Sequence, residues 1–179
     1  MKTKALGITL LFIVLVSCSP VVTAVSIKAA IPMPTVHSDN FAFILNDSPC
    51  EVNVLDTNKG TFIHTPVDET TPITISLRLT DDELESVYQR ALSINFFGLP
   101  SKIVAPDNVK QWMSTPSGTY KLSITNGAIT NSVTWTSDII TQPLFTEAAQ
   151  FMELIELIRK IIKSHPEIQK LPKPKAACA

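Results

Sequence analysis

Three histidines and three cysteines are the residues of this 179-residue chain whose types are best suited to chemistry. Their spacing assigns little to them. His37, His64 and His165 lie far apart, in segments of different kinds. No His-x-x-x-His or Cys-x-x-Cys pair occurs, so a zinc site would have to be assembled wholly by tertiary structure, and neither a metal nor a cofactor is expected. Asp56-Thr57-Asn58-Lys59-Gly60 opens like a calcium loop but puts Gly60 at the fifth ligand position and Val67 where the twelfth-position Glu belongs. A turn between strands is the better reading. Asp81, Asp82, Glu83 and Glu85 form a dense acidic group. Paired carboxylates can move protons, but these open a helix, where capping and the helix dipole account for them. There is no Gly-x-Ser-x-Gly, and five glycines leave little material for a phosphate-cradling loop. No catalytic residue is assigned.

Cys50 follows Pro49 in an expected loop, and Cys178 is penultimate. In an exported chain the two could pair. A bridge would close a long loop and stabilise by roughly 4–5 kcal/mol on the chain-entropy model. Sequence cannot assign connectivity, and two free thiols are the favoured state. A nucleophilic role for Cys50 lacks an assignable His or Asn partner. Trp112, in a proline-bounded stretch, is the candidate for an exposed binding contact, whereas Trp135 is expected to be buried on a hairpin. The net charge of −1 falls to −3 once Lys2 and Lys4 are removed with a leader. With no basic cluster, nucleic-acid binding lacks its electrostatic footprint.

That leader has three parts. Lys2 and Lys4 supply positive charge, residues 5–16 are almost all apolar, and Leu15-Val16-Ser17-Cys18 follows. This is the arrangement of a secretory signal, and its apolar run is shorter than the roughly 20 residues that span a bilayer core. Leu15-Val16-Ser17-Cys18 resembles the lipobox of bacterial lipoproteins: an aliphatic residue, a variable position, a small residue, then cysteine. The resemblance implies a diacylglyceryl group on the Cys18 thiol and cleavage before Cys18. It implies a protein held on the extracytoplasmic face of the cell membrane. In a Gram-negative host, Ser19 would lean toward the outer membrane. Two or more acyl chains anchor stably where one does not. An ordinary signal peptide cut near Ala24 is the competing reading.

Behind the leader, residues 18–40 read as the lipidated cysteine and a linker carrying Pro20, Pro32 and Pro34. Residues 41–171 read as one domain, and 172–179 as a flexible tail. Phe41, Phe43 and Leu45 suit a mostly buried strand, with Asn46-Asp47-Ser48-Pro49 as a turn. Residues 51–55 and 61–65 are expected strands around the turn at 56–60. Ile73, Ile75, Leu77 and Leu79 alternate with Thr74, Ser76 and Arg78, the period of a sheet covered on one face only. Thr80-Asp81-Asp82-Glu83 is a capping box, and Leu84, Val87, Tyr88 and Ala91 make the apolar stripe of the helix behind it, which should stop near Phe96 or Phe97. Residues 100–117 read as irregular. Asn126-Gly127 marks a hairpin, with Ile124 expected opposite Ile129, Leu122 opposite Asn131 and Tyr120 opposite Val133. A long helix is expected over 144–164, burying Phe151, Leu154, Ile155, Ile158, Ile161 and Ile162. Glu153, Glu156, Arg159, Lys160 and Lys163 form its wet face, with Glu156 and Lys160 as an i, i+4 pair. His165-Pro166 ends it. The expected class is α+β: an antiparallel sheet with two helices packed on one face.

Val54-Leu55-Asp56-Thr57-Asn58-Lys59-Gly60-Thr61-Phe62, Pro72-Ile73-Thr74, Leu79-Thr80-Asp81-Asp82-Glu83-Leu84, Val87-Tyr88-Gln89, Ile94-Asn95-Phe96-Phe97 and Lys170-Leu171-Pro172-Lys173-Pro174 follow in order. Over roughly 41–175 the chain is similar to a group of uncharacterised lipoproteins of Gram-positive bacteria. The resemblance implies a lipoprotein on the outer face of a single membrane and brings no activity with it. Cys178 is not part of that pattern. A compact domain on a stalk, with no reaction-ready constellation, points to a non-enzymatic domain that binds an envelope protein or peptide. An envelope hydrolase with a site gathered from scattered polar residues, beside His64 or Asp68, is the alternative. A carrier of a small ligand is a third.

Overall fold

The computed structural model describes residues 36–48, 51–66, 69–106, 118–137 and 145–172, together with the backbone of two short strands at 111–113 and 139–141. Six strands form one antiparallel sheet: β1 (Ala42–Ser48), β2 (Val52–Asp56), β3 (Thr61–Thr65), β4 (Ile73–Ser76), β6 (Thr119–Asn126) and β7 (Ile129–Thr136). Their spatial order is β4-β3-β2-β1-β6-β7. Helix α1 (Asp81–Ser93) leaves β4, and α2 (Thr146–Ser164) ends in a short α3 (Pro166–Gln169). Side chains of one sheet face and both long helices share a single apolar core. The class is α+β, as the alternation and helical stripes imply.

Local chemistry explains the elements. The Thr80 hydroxyl accepts from the Glu83 amide, and the Glu83 carboxylate accepts from the Thr80 amide, so the capping box is complete. Helix α1 stops at Ser93 rather than near Phe96, because Asn95 takes a left-handed conformation (φ 53°) and starts a single 3-10 turn, Phe96–Gly98. Asn tolerates that region better than most residues. Val87, Tyr88 and Ala91 are buried as the stripe requires, and so are Phe151, Leu154, Ile155, Ile158 and Ile162 on α2.

The hairpin is where expected but two residues out of register. Asn126 pairs with Ile129, Ile124 with Asn131, Leu122 with Val133 and Tyr120 with Trp135. The loop is Gly127-Ala128, with positive φ at Gly127 (60°) and not at Ala128, which suits a turn that needs Gly first. Asn126 is drawn out of the turn by the core: its amide donates to the Tyr88 hydroxyl at 3.1 Å and accepts from the Ser38 amide at 2.8 Å. A slip of two keeps every side chain on its face, so the alternation alone could not detect it.

Three further expectations change. Asn46, Asp47 and Ser48 are not a turn but the end of β1, because β2 and β6 hydrogen-bond to either side of it. Ile44, in what reads as a mostly buried strand, faces out and is 39% exposed. Residues 100–117 are not wholly irregular: Lys102 forms a parallel bridge with Thr134, and β5 (Gln111–Met113) pairs with β8 (Ile139–Thr141) in a separate two-stranded sheet. Local sequence carries no signal for either pairing, since the partners are distant in the chain.

Candidate functional site

Registers place residues directly opposite one another across all six strands of the helix-facing side. One row runs Ile75, Phe62, Leu55, Leu45, Leu122, Val133 and is entirely apolar. The next row, two residues along each strand, runs Ile73, His64, Asn53, Asp47, Tyr120, Trp135. Directly opposed side chains in a sheet sit about 5 Å apart. Residues from six strands therefore form one band at an end of the core, polar from His64 to Asp47 and aromatic at Tyr120 and Trp135.

The β1 side of this band is closed by Arg159 of α2. Its Nε and Nη2 donate to the two oxygens of Asp47 at 2.6 Å each, a bidentate fork. Its Nη1 donates to Glu156. The guanidinium also lies 5.3 Å over the Tyr120 ring, which stacks on Trp135 with centroids 5.6 Å apart. Burial alone would push the Arg159 pKa down, but hydrogen bonds and charge from Asp47 and Glu156 outweigh it and hold the group more firmly protonated than an ordinary arginine. Arg159 is thus not part of a freely solvated face, and Glu156 pairs with it rather than with Lys160. Tertiary contact supplies the Asp47 carboxylate, 112 residues away.

The β3 side is different. His64 is 5% exposed. Its Nδ1 lies 2.8 Å from Asn53 Oδ1 and 3.8 Å from Glu51 Oε2. That amide oxygen can only accept, so Nδ1 is the donor. Nε2 and Glu51 Oε1 are both buried without a hydrogen-bond partner among the described residues. A general base needs a transferable proton within about 3 Å, and no described hydroxyl or thiol offers one to Nε2. No group of three or more His, Cys, Asp or Glu among the described residues could hold a metal ion.

The other two histidines also meet glutamates. His165 Nε2 is 3.1 Å from Glu83 Oε1, and His37 Nε2 is 3.7 Å from Glu85 Oε2, which also accepts from the His37 amide at 3.2 Å. The acidic group at the start of α1 therefore does more than cap: Glu83 fastens the end of α2, and Glu85 fastens the segment entering β1. Burial raises the Glu83 pKa, but the Thr80 hydrogen bonds and His165 more than offset it and hold it below an ordinary carboxylate. The hydrogen bond from Gln89, with help from His37, holds Glu85 low against burial. These pairings have no sequence signal, because the partners are 48 and 82 positions apart.

Among the described residues, no helix covers the opposite face of the sheet. Its outward positions hold Ala42, Ile44, Val52, Val54 and Ile63, framed by Thr and Ser of β3, β4, β6 and β7. Ile44 and Val52, at 39% and 49%, are among the most exposed large apolar residues.

Of the residues singled out from sequence, Leu15, Val16, Ser17, Cys18, Cys50, Asp68 and Cys178 lie outside the described residues. Trp112 lies in β5, opposite Ile140, and its side chain is likewise outside them. No family model matches the chain, and no curated protein matches it. No helix among the described residues is long and apolar enough to cross a membrane.

Proposed function

We propose that this chain is an exported lipoprotein, held at the extracytoplasmic face of a membrane by lipid on Cys18, whose α+β domain binds a protein or peptide of the envelope and does not turn over a substrate. The observation that carries the binding half is the outward sheet face, which no described helix covers and where an apolar patch is ringed by uncharged hydroxyls. An apolar centre with a polar rim and few charges is the anatomy of an interface. The anchoring half rests on the charged start, the apolar run and Leu15-Val16-Ser17-Cys18. It also rests on the similarity to Gram-positive lipoproteins.

The test is a crosslinking pull-down from intact cells with wild type and Cys18→Ala, and intact mass taken on both. The reading expects a lipid-modified mass beginning at Cys18 and a crosslinked partner. An unmodified mass beginning near Val25 would remove the anchor, and a lipidated chain with no crosslinked product would remove the binding role.

One observation favours an enzyme as a second reading: the buried, unpartnered Nε2 of His64 beside Glu51. Hydrolysis of an envelope-derived ester or amide that disappears in His64→Gln, with the fold intact, would establish it.

A further inference from the structure

We infer that the outward sheet face, which no described helix covers, is a self-association surface, on which two copies of this chain pack sheet against sheet through Ile44, Val52, Val54 and Ile63. The inference builds on the binding reading of that face by naming the occupant, and it does not depend on the lipid.

Four observations lead to a second copy. The apolar residues are contiguous. Val54 sits directly opposite Ile63 on β3, Ile44 lies diagonally across on β1, and Val52 is the next outward position along β2. They are β-branched and sit on central strands, so they present a flat, stiff surface rather than a groove. Charge is kept to their margins: the outward strand positions carry Lys121 and Asp56, Asp56 pairs at 3.2 Å with the exposed Lys59 of the β2–β3 turn, and Arg78 lies beyond β4 against Gly60. A patch whose centre is uncharged does not repel its own copy there, and it has little to offer a charged peptide or a polybasic segment. The described outward positions also hold no aromatic ring on which a sugar could stack.

Shape and area agree. Sheets twist with one hand, and face-to-face packing needs two surfaces of matching twist, about 30° apart and about 10 Å between layers. A copy of the same sheet has that twist by construction. At about 4.8 Å between strands and about 3.4 Å per residue, a face of this size offers roughly 600 Å² per copy. Two copies then bury about 1,200 Å², the lower end of stable interfaces. A shallow depression of about 150 Å³ beside Ile44, bounded by Asn40, Asn58, Ser123 and Thr125, can receive a side chain of the partner. A homotypic contact in this size class is weak and reversible in solution.

The test places a photo-crosslinking residue at Val52 in the full chain, in intact cells, and a second at Lys160 on the exposed side of α2. The expected product is a species of twice the chain mass from the Val52 probe and little from the Lys160 probe. Ile44→Lys with Ile63→Lys sets like charges against each other across the twofold contact and should lower that product at least tenfold, with the thermal melt retained. Monomer alone from Val52, an adduct of another mass, or equal dimer from both probes overturns the inference. An adduct of another mass leaves the binding reading standing, and the intact mass of the same samples reports on the anchor separately.

Discussion

Two neighbouring rows of one sheet face share backbone, spacing and covering helices, and differ only in their side chains. The row from Ile75 to Val133 is apolar in all six strands, and its members from Phe62 to Val133 are buried. The row from Ile73 to Trp135 carries an imidazole, an amide and a carboxylate in successive strands. The first row is held by loss of water from hydrocarbon, a force without direction. The second must satisfy each polar group individually or bear its desolvation. Arg159 satisfies Asp47 fully, whereas His64 and Glu51 keep a buried atom each without a partner. Within one band, the closed ion pair reads as architecture, whereas the imidazole keeps one hydrogen-bonding position open.

The comparison can be broken most sharply in the apolar row. Leu122→Ala removes a fully buried side chain from the middle of the sheet and should cost about 3–4 kcal/mol in urea unfolding. A loss under about 1 kcal/mol would mean that this row is not the centre of the core. The closed half of the polar row comes next. Asp47→Ala leaves the Arg159 guanidinium, itself mostly buried, without its fork and should cost about 3 kcal/mol. Restoring stability with Arg159→Met in the same chain would show that the loss came from an uncompensated charge. The open half should respond least. His64→Leu removes the unpartnered Nε2 but also the partner of Asn53 Oδ1, and should cost about 1 kcal/mol. A loss as large as that of Asp47→Ala would show that the imidazole is held as firmly as the guanidinium, and would erase the contrast.

Much of this was legible along the chain. The alternation at Ile73, Ile75 and Leu77 announces a sheet with one wet face, and Thr74 and Ser76 are exposed on it. Thr80 and Glu83 announce the start of α1, and the stripe from Phe151 to Ile162 announces the buried side of α2. These signals are local, because a helix turn or a strand pleat repeats within a few residues. The hairpin shows the limit: Asn126 and Gly127 mark a turn, but the choice between two registers that bury the same faces fell to the Tyr88 hydroxyl and the Ser38 amide.

The sequence by itself determined the type of each main element and the buried face of each. Only the tertiary structure decided which polar residues meet. Asp47 with Arg159, His64 with Asn53 and Glu51, and His165 with Glu83 are joined by sheet order and helix docking. The physical reason is range: propensity and periodicity act over one turn or one pleat, while a hydrogen bond or ion pair requires only proximity in space, which strand pairing and core packing impose from far along the chain.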